Sequence, residues 1–396
     1  MQLSKAASVQ PSRIRAIAAL ADIHPGTLRL FVGEDTLPTP DFIKAAAHRA
    51  IDENRTYYTP NAGYPEVRRA VANRLLDLHG VEVDPTRQVV VTASGMNAIL
   101  LTVQAVVGAG QSAIVLTPLW PNITAAIRVA GADAIEVPLA FAPEGYSLDF
   151  DRLEAAVRPD TRMLALASPG NPTGWTATAD DWAKLIEFCE RHDLWLMADG
   201  VYERIIFDGR VAPSPLAWPE GRKRTIVTQS LSKAYRMTGW RLGYSISPPE
   251  IARVMTDLQE FVVSNAPGII QEAARVALDD GEPFIAEAQA RYTRHFRLTV
   301  DRLKGIEGLT LPIPTGAFYV FPRLEGLTDS FDFCERLVRE RLVGIAPGCA
   351  FGIGGEGHVR ICFAVDEATL LEALDRFEAG WLAYRAGLYS NSIKGT

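Results

Sequence analysis

The chain reads as an α/β protein, with a large domain built on a mostly parallel sheet between helix layers and a smaller α+β domain beside it. Three observations predict this. Between about residues 45 and 245, short apolar segments that end in polar or Gly-rich turns alternate with amphipathic stretches of helical length. Several of the apolar segments are hydrophobic at successive positions, as strands buried on both faces must be. After Arg291 the order changes to longer helices and shorter strands.

The strand signals of the large domain are "QVVVTAS" from Gln88, "SAIVLTP" from Ser112, "RMLALAS" from Arg162, "DLWLMAD" from Asp193 and "RTIVTQS" from Arg224. In the smaller domain, "RYTRHFRLTVDRLKGI", "DFCERLVRERL" and "DEATLLEALDRFEAGWLAY" have helical periodicity, while "GAFYVFP" and "HVRICFAV" read as strands. These patterns divide the chain into a large domain over 45–290 and a small domain formed by 1–44 together with 291–396.

Composition narrows the function. A chain of 396 residues, 48% hydrophobic and 22% charged, has ordinary globular make-up and room for a substantial core. A net charge of -7, with no basic run, argues against a nucleic-acid surface. No uncharged apolar run reaches the roughly 18 residues of a membrane span, and the start has no apolar core of a secretion signal, so a cytoplasmic protein is expected. Cys189, Cys334, Cys349 and Cys362 form no CxxC pair and read as reduced thiols. The six histidines show no metal-ligand spacing. Small molecules are the expected partners.

Ligands of an open α/β sheet bind beyond the carboxyl ends of its strands, and the informative residues fall there. "TASGM" closes a strand and opens a helix with Ser94, Gly95 and Met96, offering free N–H groups to an anion. "SPGNPTG" follows another strand end and contains Asn171, and "MADGVYE" sets Asp199 three residues before Tyr202. In "SLSKAYRMTGWRLGY", Lys233 stands between Ser230 and Arg241. The chain has 33 arginines and seven lysines, so a lysine among apolar residues points to use as an amine. "GIGGEG", 352–357, fits G-x-G-x-x-G but precedes a strand instead of following one, and reads as a turn.

Taken in order, "YYTPNAGYPEVRRAVA", "TASGMNAI", "PLWPN", "SPGNPTG", "DGVY", "SLSKAYRMTGWRLGY" and "HVRICFA" resemble the fold-type I pyridoxal-phosphate aminotransferases of classes I and II. The resemblance covers nearly the whole chain and implies a seven-stranded, mostly parallel sheet in the large domain. It implies pyridoxal 5'-phosphate as cofactor and ping-pong transfer of an amino group from an L-amino acid to a 2-oxo acid. By the same resemblance Lys233 is the lysine that bonds covalently to the cofactor and then moves the substrate proton. Asp199 matches the carboxylate that pairs with the ring nitrogen, and Asn171 and Tyr202 the donors to the ring 3-oxygen. Trp120 matches the aromatic stacked on the ring, and Ser94, Gly95, Met96, Ser230 and Arg241 match the phosphate cup. Arg360 matches the clamp on the substrate α-carboxylate, with the backbone of Gly33 nearby. Tyr58 matches a tyrosine that reaches the phosphate of a neighbouring subunit, which implies a homodimer.

Relatives specific for dicarboxylates carry a second cation, either an arginine just upstream of the segment matching "SNAP" or a lysine at the position of Met96. Here no Arg or Lys occurs from Val254 to Ala274, and Glu260 is nearest that arginine. A neutral, aromatic or basic donor is therefore expected in preference to aspartate, with a 2-oxo acid such as 2-oxoglutarate or pyruvate as acceptor. Glu260 reads equally well as a solvated helix residue. The same cofactor machinery also serves β-lyases, which is the alternative function.

Overall fold

A computed structural model describes residues 10–209 and 211–388. Its centre is a seven-stranded sheet whose strands, in chain order, are β1 (Val89–Thr92), β2 (Ser112–Thr117), β3 (Asp133–Pro138), β4 (Thr161–Ala167), β5 (Trp195–Asp199), β6 (Thr225–Ser230) and β7 (Gly243–Ile246). The spatial order is β1-β7-β6-β5-β4-β2-β3. Pairing is parallel from β6 through β3, and only β7 runs against its neighbours. The mostly parallel sheet expected from the sequence is present, and each of the five strand signals lies on a strand. β3 and β7 carry weaker signals: β3, at one edge, is largely half-buried and includes Asp133 and Glu136, and β7 sets Gly243 and Ser245 among its apolar residues.

β1 and β2 are buried at every position, which explains their unbroken Val, Ile and Leu runs: helices cover both faces. The helices are set by their ends. Gly95–Val106 starts on Ser94, whose hydroxyl accepts from Asn97 N–H at 3.0 Å. Ala179–Arg191 starts on a reciprocal capping box between Thr178 and Asp181. Pro65–His79 has its proline in the first turn and ends on Gly80 at φ 65°.

A second hydrophobic cluster joins Ile17, Leu20, Leu30 and Phe31 from the N-terminal segment to Phe333, Leu337, Ile361, Phe377 and Trp381. It holds the three-stranded sheet formed by Tyr319–Val320, Val359–Cys362 and Ala346–Pro347, with the helices Arg13–Asp22, Ser330–Arg341 and Glu367–Arg385 around it. Helix Glu282–Leu303 is continuous across residue 290, and places Ile285 in the main-sheet cluster and Tyr292 in the second. The GIGGEG segment is a turn between a short 3-10 helix and the strand Val359–Cys362, as its position before a strand predicts. It docks on Glu136, whose carboxylate accepts from Ile353 N–H at 2.9 Å.

The end of β1 meets β7 so closely that side chains are excluded. A Cβ on Gly243 would lie 2.4 Å from Gly95 N and 2.6 Å from Ser94 C, both backbone atoms with no easy way to yield. Gly243→Ala should therefore lower the free energy of unfolding by about 1–3 kcal/mol in urea titrations. Gly239→Ala, where nothing lies within 4 Å, should change it by less than about 0.5 kcal/mol.

Candidate active site

The carboxyl ends of β1, β2, β4, β5 and β6 converge on a cavity of about 420 Å³. Of the residues singled out in the sequence, Gly33, Gly95, Met96, Trp120, Asn171, Asp199, Tyr202, Ser230, Lys233, Arg241 and Arg360 line it. Two do not. Ser94 lies one residue back, capping the helix whose first residues reach the cavity. Tyr58 is 90% exposed and stands outside the cavity of its own chain.

Lys233 sits in the four-residue helix after β6, and its Nζ donates to the carbonyl of Gly33. Burial pulls its pKa down to about 8, against the raising influence of Cys362 and Glu34, and Arg360 and Arg241 lower it further. The opposite happens to Asp199 at the end of β5. Burial pushes its pKa up to about 6, although the Val201 N–H at 3.1 Å and the Lys233 cation both favour the carboxylate. At pH 7 the acid is thus ionised, and part of the lysine population is neutral.

Arg360 projects from the strand Val359–Cys362 and is 2% exposed. It donates to Asn171 Oδ1 at 2.9 Å and to the carbonyl of Phe31, while its Nε has no hydrogen-bond partner. Its guanidinium carbon lies 4.5 Å from the centre of the Tyr319 ring. No acid pairs with Arg360 or Arg241 among the described residues, so neither cation is neutralised by the protein. Arg241 itself adopts a left-handed backbone, φ 55° and ψ 58°, and donates to Thr238 O at 2.8 Å.

The phosphate-cup candidates form one surface. Ser230 caps its helix through Ser232 N–H at 3.1 Å and donates to Leu242 O at 3.1 Å. A Cβ on Gly95 would stand 2.9 Å from Ser230 Cβ, so the turn after β1 is pressed against the turn after β6. Ser94 holds φ 140°, a costly conformation for a residue with a side chain, and in return aims the first helical N–H groups at the cavity edge.

Sequence reasoning missed Tyr319, Ser12, Ile14, Arg15, Phe31, Val32 and Asn122, all of which line the cavity. Tyr319 Oη lies 2.6 Å from Tyr202 Oη, and the two rings meet edge to face. Its only sequence signal was a place in the aromatic strand "GAFYVFP", which core packing explains equally well. Glu260 does not line the cavity: it is exposed on helix Pro249–Val262 and accepts a hydrogen bond from Asn61. Its reading as a solvated helix residue fits this chain's own surface.

Residues 27–377 match the family model described as "Aminotransferase class I and II". The chain belongs to that family. It is 36% identical to the aromatic-amino-acid aminotransferase 2 of Thermococcus litoralis over 375 residues, covering 93% of this chain and 95% of that one. It is 35% identical to the aspartate/prephenate aminotransferase of Cereibacter sphaeroides over 390 residues, covering 94% and 96%. The crystal structure of the aspartate aminotransferase of Rhizobium meliloti superposes with a TM-score of 0.90 at 31% identity, covering 96% of this aminotransferase and 98% of the other. The chain is therefore a transaminase, and among its described residues no helix is long and apolar enough to cross a membrane.

Gly33 offers a direct test of how the cavity wall is built. A Cβ there would lie 2.4 Å from Tyr319 Oη but 3.4 Å from the ring carbon that bears it. Gly33→Ala should cost about 1–3 kcal/mol of stability. In a Tyr319→Phe background, where the clashing oxygen is gone, the same substitution should cost much less, and a double-mutant cycle in urea measures the difference.

Proposed function

We propose that the cavity binds pyridoxal 5'-phosphate and that the protein transfers the amino group of an L-amino acid to a 2-oxo acid in two half-reactions that use the same site. The observation that carries this reading is a lysine amine, lowered to about 8, sharing one cavity with a buried carboxylate and with the guanidiniums of Arg241 and Arg360, which have no acidic partner among the described residues. When bound, the cofactor supplies an electron sink for the bonds at the substrate α-carbon. The residues present fit it. Lys233 has a neutral fraction able to bond covalently, and Asp199, ionised at pH 7, suits a protonated ring nitrogen. Asn171 and Tyr202 are donors for the ring oxygen, and Trp120 offers a face for the ring. Ser94, Gly95, Met96, Ser230 and Arg241 suit the phosphate. Arg360, with one N–H unsatisfied, suits the substrate α-carboxylate, and the Gly33 backbone lies beside it.

In this reading Lys233 Nζ takes the proton from the substrate α-carbon, and its pKa near neutrality suits both accepting and returning it. Arg360 fixes the α-carboxylate and so decides which bond at that carbon faces the lysine. Phe31, Ile99, Trp120 and Met96 give the cavity an apolar wall that fits neutral or aromatic donors, and an aromatic-amino-acid aminotransferase among the relatives supports that choice.

The active form in this proposal is a homodimer. Tyr57, Tyr58 and Phe261 are 79%, 90% and 87% exposed, more aromatic surface than water favours. Thr59 ties their two segments together through Ala266 O at 3.3 Å and Gln271 Nε2 at 3.0 Å. A second copy covering this face would bring Tyr58 towards the other site's phosphate. The hydrophobic clusters support a cofactor-binding domain over 45–290 and a small domain of 1–44 with 291–396, and four free cysteines support a reducing, cytoplasmic setting.

Lys233→Ala should lower turnover of phenylalanine with 2-oxoglutarate by about 10²–10⁴-fold, and normal steady-state rates in the variant would refute the assignment. In wild type, donor alone should yield one equivalent of 2-oxo acid and no ammonia; ammonia with pyruvate would mark a β-lyase. The apoprotein should take up the cofactor at a rate that rises about tenfold per pH unit and levels above pH about 8, because only neutral Lys233 reacts. An ordinary lysine would keep the rate rising to about pH 10.4, and stopped-flow absorbance distinguishes the two.

A further inference from the structure

One wall of the cavity comes from the start of helix Arg13–Asp22 and its cap: Ser12, Ile14, Arg15 and Ala18. Ser12, Arg15, Met96 and Asn122 also line an adjoining groove of about 920 Å³, so these four form the neck between the two spaces. Arg15 is exposed, and its guanidinium has no acidic partner among the described residues; its backbone N–H donates to Ser12 Oγ at 3.4 Å. Asp22, the last residue of the same helix, pairs instead with Arg29 at 2.7 Å.

We propose that Arg15 is the receptor for the second carboxylate of a dicarboxylic 2-oxo acid acceptor and selects that class of acceptor. This rests on the amino-transfer reading above. The charges that line the cavity carry the argument. They are four cations, Arg15, Lys233, Arg241 and Arg360, against one carboxylate, Asp199. Lys233 becomes neutral in service, Arg241 takes the phosphate, Arg360 the α-carboxylate, and Asp199 the ring nitrogen. Arg15 is then the one charge left without a counter-charge, and a substrate with a second carboxylate supplies it. The neck also offers polar groups to the remaining oxygens of that carboxylate. Among the described residues the Asn122 side-chain amide donates only to the Met96 sulfur at 3.7 Å, a weak contact that a carboxylate displaces readily. Neither of the other places where a second cation was sought supplies one: position 96 is methionine, and Glu260 is on the outer surface.

The test is Arg15→Gln in the cofactor-loaded, full-length enzyme. The kcat/KM for 2-oxoglutarate should fall roughly tenfold to a hundredfold, the loss expected for one charge-assisted hydrogen-bonded contact, while that for pyruvate stays within about twofold. Calorimetry should show the same selective loss for glutarate against butyrate, and Arg15→Lys should retain part of the preference. Equal losses for both acceptors, or unchanged use of 2-oxoglutarate, would overturn the proposal. Should wild type transfer amino groups to no acceptor, the reading of the function fails, and the glutarate titration still decides whether Arg15 binds a second carboxylate.

Discussion

Lys233 Nζ donates to the carbonyl of Gly33 across 200 residues of sequence, and Arg360 donates to the carbonyl of Phe31, two positions earlier on the same segment. The backbone of 31–33 thus solvates both working cations of the cavity. Everything else about the site depends on this arrangement, because two cations held out of bulk water, with Arg360 lowering the proton affinity of Lys233, need partners. Neutral carbonyls are suitable ones. An acid in their place would hold the lysine charged and occupy the arginine, and exchanging it for a ligand would cost far more than exchanging a dipole.

The 31–33 segment must in turn be held. Two residues further on, Asp35 accepts from Arg236 at 2.8 Å, from Arg291 at 2.9 Å and from the Tyr292 hydroxyl at 2.5 Å, with its side chain 2% exposed. This cluster joins the N-terminal segment to the turn after Lys233 and to helix Glu282–Leu303 at one point. Buried acids with three donors are costly to disrupt, since removing the acid strands two guanidiniums away from water. The segment is also sized to fit: at Gly33 any side chain would meet Tyr319, whose hydroxyl is already shared with Tyr202. Positioning of the amine on the main sheet therefore rests on contacts made by residues far from it in sequence.

That division explains what was legible in the sequence. Strands buried on both faces announce themselves by unbroken apolar runs, so β1, β2, β4, β5 and β6 were readable, whereas the largely half-buried β3, interrupted by Asp133 and Glu136, and β7, with Gly243 and Ser245 between its apolar residues, were not. The candidate site residues at strand ends, such as Asp199, Asn171 and Lys233, stand in short dense motifs where turn formers and polar groups coincide. Tyr319 was invisible for the opposite reason. It lies in a strand whose aromatic content is explained by core packing, and its position opposite Tyr202 depends on an approach between elements 117 residues apart. Arg15 had no signal either, since an arginine in the first turn of an amphipathic helix is ordinary.

The same logic separates what all substrates share from what distinguishes them. An amine, an α-carboxylate and a phosphate present fixed geometry, so the groups that meet them can be fixed in local motifs on the rigid sheet. A substrate side chain varies in length, charge and shape, and in the proposed reading it faces the neck formed by Ser12, Arg15, Met96 and Asn122, which are drawn from three separate segments. Such a wall can change one residue at a time without disturbing the amine, because the hydrogen bonds that hold Lys233 and Arg360 run to backbone carbonyls that no substitution at Arg15 removes.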